Sequence, residues 1–277
     1  MSKIIKKVLI YLVLITYLIF TLLPLYWNFI TSFKTAVELS NIPPTLFPLN
    51  PTLYFYIDLF YMRHFMELIR NSVIVSLGNA ILSTLIGTIL GYGISRMITS
   101  EQSKSIATIL VILARMFPPL IMVIPYYIIL NAIGLINTWF GLITVYLTFG
   151  IPFATWTMKG FFDEFPSQIE EAAFIDGCSK FDTFFRITLP ILLPSIFVVF
   201  IFTFLYSWNE FLYALILTTT YDSQTLTIGV FATVSKWEIA WSKIAAAGII
   251  SATPVLFFFI LIRKYLARGI TFGVIKG

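Results

Sequence analysis

Residues Asp163 to Pro190 read DEFPSQIEEAAFIDGCSKFDTFFRITLP and form a polar segment within otherwise apolar sequence. Ser167 and Glu170 make a Ser-x-x-Glu pattern, in which the hydroxyl and the carboxylate each bind the other residue's backbone amide and start a helix. A short helix is therefore predicted over Gln168 to Asp176. Gly177 stands where a left-handed cap ends a helix, so the segment contains a helix closed by a glycine turn.

A second helix start follows within the same segment. Ser179 and Asp182 repeat the capping arrangement, and Phe184 and Phe185 lead on towards Pro190. On residue chemistry alone, the segment is a helix, a turn and a second helix exposed between two membrane spans. A solvated connector would have the same chemistry, and that interpretation stays open at this point.

A longer pattern of fixed spacing runs through this segment. Glu171-Ala172-Ala173 is followed after three residues by Gly177 and, after nine more, by Ile187-x-Leu189-Pro190. At every position this resembles the EAA loop of the permease subunits of ABC importers. The pattern is specific because it is long and its spacing is fixed.

The resemblance implies a coupling helix, which seats in a cleft of a separate nucleotide-binding subunit. Glu171 would be the acidic contact to that ATPase, since a carboxylate near a helix N-terminus is stabilised by the helix dipole. Ala172 and Ala173 would let the helix approach closely, and Gly177 would supply the turn. The residues implied in ATPase coupling are Glu170, Glu171, Ala172, Ala173, Asp176 and Gly177.

The composition of the chain is that of a membrane protein. Hydrophobic residues make up 59% and charged residues 11% of its 277 residues, and the mean hydropathy is +0.94. A packed aqueous core is excluded as the main architecture. The net charge of +5 would suit nucleic acid in a soluble protein. In a membrane chain it reports orientation instead, so no nucleic-acid partner is expected.

Six apolar runs are each long enough to cross a hydrocarbon layer of about 30 Å. The first follows three lysines, as a signal peptide would, but no small-x-small cleavage site follows it and the sequence continues apolar. One all-α transmembrane domain is predicted over residues 1–277, with the EAA loop at 159–190. The predicted spans are 8–31, 71–94, 105–130, 138–158, 191–217 and 244–262.

Two spans carry signals for packing or bending. The span 71–94 is rich in small residues, and Gly87 with Gly91 forms a small-xxx-small pair, which predicts close packing against another helix. The span 105–130 contains Pro118-Pro119, which predicts a kink because proline cannot donate the helical hydrogen bond.

The distribution of basic residues predicts the orientation of the chain. Of the 18 Lys and Arg residues, twelve fall on the side that carries both termini and the EAA loop, five fall on the other side, and Arg115 lies within a span. Since cytoplasmic loops carry the excess of Lys and Arg, both termini and the EAA loop are predicted to be cytoplasmic, in the cytoplasmic (inner) membrane.

Polar residues within the spans are candidates for a translocation path. Arg115 needs a partner or water because a charge costs ~2.5 to 3.5 kcal/mol there. It could line the path, form a structural ion pair or snorkel to the interface. Trp208, Asn209 and Glu210 suit a sugar's ring face and hydroxyls, but could also bind a neighbouring helix or lie at the outer interface. Glu210 lies roughly 30 Å beyond Pro190 along a straight helix, so a pair with Arg115 is not expected unless one of the two helices is broken.

The C-terminal tail, Gly269-Ile-Thr-Phe-Gly-Val-Ile-Lys-Gly277, is a second candidate contact to an ATPase. By residue type it is a frayed terminus. It is also similar to the tail of carbohydrate-importer permeases, which reaches into the ATPase in maltose-type members. The resemblance singles out Gly273, Lys276 and Gly277. Three further stretches look like the same branch: 115–118, 159–162 and 208–211.

Several classes of site are absent from the sequence. No Gly-x-x-x-x-Gly-Lys-Ser/Thr phosphate loop occurs, so the chain is not expected to bind or hydrolyse ATP itself. The single histidine, His64, and the single cysteine, Cys178, exclude a His/Cys metal cluster and an intrachain disulfide. The chain is predicted to be neither an enzyme nor a metalloprotein, with ATP and Mg bound by a partner.

The sequence therefore predicts a type I ABC importer permease fold with six transmembrane helices and a cytoplasmic coupling helix. The resemblance implies an ABC ATPase dimer, a second and different permease chain, an extracytoplasmic solute-binding protein, membrane lipid and a sugar or oligosaccharide substrate. Two alternatives are a secondary transporter driven by an ion gradient, which would use Arg115 and Glu210, and a membrane scaffold that recruits an ATPase. Neither a secondary transporter nor the solvated connector explains the EAA spacing.

Overall fold

The computed structural model describes residues 3–61, 64–233 and 240–274. Within these ranges the chain is almost entirely helical and forms no β-strand. Two π-helical turns occur, Gly93–Met97 and Phe184–Thr188. The α-helices are α1 (Lys3–Thr31), α2 (Ala36–Leu39), α3 (Tyr54–Tyr61), α4 (Phe65–Tyr92), α5 (Glu101–Met116), α6 (Pro119–Ala132), α7 (Trp139–Glu164), α8 (Ser167–Ile175), α9 (Lys180–Thr183), α10 (Leu189–Ile191), α11 (Leu193–Trp208), α12 (Leu212–Leu217), α13 (Leu226–Ala232) and α14 (Trp241–Val274).

Four segments of the described chain are long and apolar enough to cross a membrane as single helices. Two bent pairs, Glu101–Met116 with Pro119–Ala132 and Lys180–Ile191 with Leu193–Trp208, bring the number to six if each pair is one span. The four single segments are Ile4–Thr31, Phe65–Met97, Trp139–Glu164 and Trp241–Leu261.

Two of the predicted spans are broken in the structure. The predicted kink in 105–130 is confirmed, since α5 and α6 meet at an angle of 87°. Phe117, between them, has an extended backbone. This conformation is favoured for a residue that precedes proline. The predicted span 191–217 is divided between α11 and α12. The break follows from Glu210, whose carboxylate accepts hydrogen bonds from the amides of Tyr213 (3.0 Å) and Ala214 (3.2 Å) and so starts a new helix.

Two helices run further than the spans assigned to them. Helix α7 continues to Glu164 beyond the predicted end at 158, so Lys159 lies inside the helix. Lys159 and Asp163 form an ion pair of 2.6 Å one turn apart, which supports the added turn. Helix α14 likewise continues to Val274, beyond the predicted end at 262, and neither glycine nor proline occurs between 262 and Gly269.

The described residues fall into two compact units, within Met1–Phe65 plus Gly229–Pro254 and within Met66–Ile228 plus Val255–Gly277. In the first unit, the loop after α1 is organised by Glu38, whose Oε1 accepts from the Thr45 hydroxyl (2.7 Å) and the Leu49 amide (2.9 Å). The Thr45 hydrogen bond, helped by the Lys34 ammonium, holds the pKa of Glu38 below its usual value despite burial. Ser242 at the start of α14 donates to the Lys34 carbonyl (2.7 Å).

The second unit is built on close packing between α4 and α7. A Cβ at Gly87 would lie 2.4 Å from Ala154 Cβ and 2.7 Å from the Thr155 amide nitrogen, so only glycine permits this approach. The close packing predicted for this helix is confirmed. Deeper in the unit, Asn79 donates to the Ser207 hydroxyl (2.5 Å), which joins α4 to α11 through buried polar groups.

The glycine contact gives a stability prediction. Gly87→Ala forces a methyl group against the α7 backbone, and overpacking of this kind costs about 1–3 kcal/mol. We expect a lower midpoint in thermal unfolding of the detergent-solubilised protein. Gly160→Ala is the matched control, because nothing lies within 4 Å of a Cβ at that helical glycine. Equal midpoints for the two variants would contradict the packing described above.

Candidate functional site

The helix of the EAA loop, α8, begins differently from the sequence prediction. Pro166 occupies the N-cap position and no side chain caps the helix, while Ser167 is the first helical residue. The predicted capping box is wrong because the Glu170 carboxylate binds Arg96 and Thr188 instead.

The end of α8 is confirmed as a glycine turn. Gly177 has φ +85°, a left-handed conformation that favours glycine. The Gly177 amide donates a hydrogen bond to the Phe174 carbonyl (3.1 Å), and the Cys178 amide donates one to the Ala173 carbonyl (2.9 Å). Together these two hydrogen bonds form a Schellman motif. The second helix start is also confirmed, since the Ser179 hydroxyl accepts from the Asp182 amide (3.1 Å).

The two neighbouring glutamates of α8 face opposite environments. Glu170 is 4% exposed, and its Oε2 lies 2.6 Å from Arg96 Nε while its Oε1 accepts from the Thr188 hydroxyl (2.9 Å). Glu171 is exposed, as are Ala172 and Asp176. Ala173 is buried and faces the protein. Of the residues implied in ATPase coupling, Glu170 and Ala173 therefore point inward.

A second set of charges ties the end of α7 to its neighbours. Asp163 accepts from the Ser95 hydroxyl (2.5 Å) and the Lys159 ammonium (2.6 Å), and Lys104 of α5 lies 3.6 Å from it. Arg96 also donates to the Phe165 carbonyl (2.8 Å), just before α8 begins. The start of α8 is thus fixed to the ends of α4 and α7.

The solvent-exposed side of the EAA segment carries several large apolar side chains among its polar ones. Ile175 is 87% exposed and Phe181 is 71% exposed, and Phe174 and Phe185 are each more than one third exposed. All four of these large side chains follow the exposed Glu171 in sequence. An exposed apolar patch that adjoins a carboxylate is typical of a surface that binds another protein.

The second group of candidate residues lies at the break between α11 and α12. Trp208 is buried and stacks on Phe204, with ring centroids 5.8 Å apart. Asn209 is exposed and donates to the Leu205 carbonyl (2.7 Å), at the end of α11. Besides starting α12, Glu210 accepts from the Tyr146 hydroxyl (2.8 Å). These three consecutive residues contact different partners, and Asn209 is the most accessible of them.

Arg115 lies apart from this group. It is exposed in the last turn of α5, and its guanidinium lies 5.2 Å from the ring centroid of Phe153 in α7, a cation–π arrangement. No ion pair joins Arg115 to Glu210 among the residues that the structure describes, although both of the predicted spans that carry them are broken, which is the condition under which the sequence allows such a pair. A role in the translocation path stays a prediction for all four residues.

Of the candidate residues in the C-terminal tail, only one lies within the part of the chain that the structure describes. Gly273 lies in the last turn of α14, and Lys276 and Gly277 lie outside the described residues. Across residues 3–61, 64–233 and 240–274, no three His, Cys, Asp or Glu side chains group to hold a metal ion.

Comparison with known proteins settles the family. A family model described as the binding-protein-dependent transport system inner membrane component matches residues 83–272. The chain belongs to this family. It is a multi-pass membrane protein and a permease component of an ABC transporter. The EAA spacing was the sequence signal that indicated this.

Similar proteins support the assignment over nearly the whole length of the permease. The inner membrane ABC transporter permease protein YcjP of Escherichia coli is 32% identical, over 94% of this chain and 93% of its own. The trehalose transport system permease protein SugB of Mycobacterium tuberculosis is 31% identical, over 93% of both chains. The fold matches a bacterial ABC transporter involved in import of the polysaccharide alginate, with TM-score 0.81 at 16% identity over 96% and 98% of the two chains.

The partners of Glu170 could not be found from the sequence. Arg96 and Thr188 lie 74 and 18 residues from Glu170, and no fixed spacing marks either residue. The sequence also contains no signal that Phe181 and Phe185 are exposed, because aromatic residues in an apolar chain are expected to be buried or lipid-facing.

The left-handed turn of the permease gives a prediction about α8. Gly177→Ala should raise hydrogen exchange over residues 167–178, because the left-handed conformation costs roughly 1–2 kcal/mol for an L-residue. Gly177→Asn should exchange more slowly than Gly177→Ala, since asparagine tolerates this conformation. Equal exchange in wild type and Gly177→Ala, measured by mass spectrometry, would contradict this role of the turn.

Proposed function

We propose that this permease forms half of the translocation pore of an ABC importer for a sugar or oligosaccharide, and that a separate ATPase seats on α8. The observation that carries the proposal is the outer face of the EAA segment. Glu171, Ile175 and Phe181 are all exposed, and Ile175 follows Glu171 by one turn of α8, while the inner face of α8 is bound to the rest of the protein through Glu170. A partner can therefore bind the exposed face of α8, while the opposite face of this helix stays bound to the rest of the permease.

The remaining components follow from the family and from the fold. Binding-protein-dependent transport requires a solute-binding protein, which delivers the substrate on the extracytoplasmic side. A second permease chain completes the pore, and an ATPase dimer supplies ATP hydrolysis with its Mg. ATP-driven closure of the dimer displaces α8 and opens the path outward, and hydrolysis resets it inward. Both termini and the EAA loop lie in the cytoplasm, as the distribution of Lys and Arg predicts.

The substrate class rests on the similar proteins. One is a trehalose permease, and the fold is shared with an importer of a polysaccharide. The chain supplies groups suited to sugar, namely the exposed amide of Asn209 near the aromatic side chains of α11. Arg115, Trp208 and Glu210 complete the proposed path, and the tail at Gly273, Lys276 and Gly277 adds a second ATPase contact.

The ATPase contact is tested by reversing the exposed charge. Glu171→Lys should leave the chain inserted but should abolish copurification of the ATPase from detergent extract, read by mass spectrometry. Glu101→Lys is the matched control, because Glu101 is an exposed glutamate in the first turn of α5, outside the EAA segment. Recovery of the ATPase with Glu171→Lys would contradict the assigned contact.

The path is tested at Asn209. Asn209→Ala should change the apparent affinity for sugar in uptake by cells or proteoliposomes by roughly 5- to 30-fold, the effect of losing one or two hydrogen bonds of about 1 kcal/mol each. Asn131→Ala, at another exposed asparagine, is the control. Unchanged uptake would return Asn209 to its role at the end of α11.

A further inference from the structure

Both oxygens of the Glu170 carboxylate are bound by side chains from other helical segments. Arg96 Nε lies 2.6 Å from Oε2, and the Thr188 hydroxyl donates to Oε1 at 2.9 Å. We call these three residues the Glu170 node. The adjacent Glu171 is exposed and takes no part in it.

Both partners of Glu170 lie on π-helical turns. Arg96 belongs to Gly93–Met97, which continues α4, and Thr188 belongs to Phe184–Thr188, which leads towards α11. Such turns are rare, usually single, and occur frequently at functional sites because the extra residue re-aims side chains. Here two of them converge on one carboxylate of α8. An ordinary α-helical turn in either place would aim these side chains elsewhere.

Arg96 extends the node to the end of α7. Its second guanidinium nitrogen donates to the Phe165 carbonyl at 2.8 Å, immediately before α8. Beneath the node, the rings of Tyr92, Phe162 and Phe184 pack together, with Tyr92 to Phe184 centroids 4.4 Å apart and Tyr92 to Phe162 centroids 5.3 Å apart. Closely packed rings, with the directional hydrogen bonds to Glu170 above them, cannot deform gradually. A displacement of α8 is therefore passed on to the helices that carry these residues.

We propose that Glu170 is a positioning residue that locks α8 to α4 and to the segment before α11, so that displacement of α8 moves these helices with it. The proposal rests on the proposed function. It separates the two glutamates of the EAA segment: Glu171 contacts the ATPase, and Glu170 passes the movement into the membrane helices. Without the lock, the ATPase still docks and hydrolyses ATP, but α8 moves alone.

The test measures whether α8 and α4 move together in the purified complex with its ATPase. Spin labels at Gln168→Cys in α8 and Ile89→Cys in α4, both exposed positions, report the distance between these helices in a Cys178→Ser background. Distances are compared with ADP and with a non-hydrolysable ATP analogue. Wild type should give the same distance in both states, and Glu170→Gln should give a nucleotide-dependent shift.

Two further variants test the same lock at the partners of Glu170. Thr188→Val removes one bond of the node without a charge change, and Arg96→Lys keeps the charge but loses the planar fork. Both should produce the same shift, with ATP hydrolysis retained and stimulation by the binding protein reduced by roughly 5- to 150-fold, a typical range for coupling between sites. Glu164→Gln, an exposed glutamate at the end of α7, should behave as wild type.

The outcomes separate the proposal from the function on which it rests. If α8 and α4 shift apart with nucleotide in wild type, or stay fixed in Glu170→Gln, the lock is wrong while the ATPase contact stands. A fall in complex yield with an unchanged distance would make Glu170 merely structural and overturn the proposal. If no ATPase copurifies with the wild-type chain, the proposed function itself fails.

Discussion

The ion pair between Glu170 and Arg96 is the interaction on which the EAA-segment side of the fold depends. A carboxylate that is 4% exposed needs a charged partner, and Arg96 supplies it at 2.6 Å. Breaking such a pair leaves an uncompensated charge, at a cost of about 3–5 kcal/mol. The position of α8 is therefore tied to the end of α4, although the two lie far apart in sequence.

This pair gives the EAA segment two different faces. Its inner face carries Glu170 and Ala173 and is directed at the rest of the permease. Its outer face carries Glu171 with large apolar side chains that the chain does not bury by itself. A helix with one held face and one open face suits a connection between a moving partner and a membrane bundle, because a force on the open face meets a support behind it.

Proline and glycine patterns predicted several features of the fold. Pro118-Pro119 predicted the bend between α5 and α6, Gly87 predicted the close packing of α4, and Gly177 predicted the left-handed turn, because each depends on backbone properties of one or two residues. The break after Trp208 was missed, since it depends on where the Glu210 carboxylate points. The capping box was wrong for the same reason: Glu170 had a stronger partner in Arg96.

Composition and fixed spacing are local properties of the chain, and they were enough to predict the membrane class and the family. Only the tertiary structure decided which glutamate of Glu170-Glu171 faces inward, since both are acidic, adjacent and equally compatible with a helix. The choice depends on Arg96 and Thr188, which folding brings to one side of α8. A carboxylate can be buried only beside a group that pairs with it, and tertiary packing determines where that group lies.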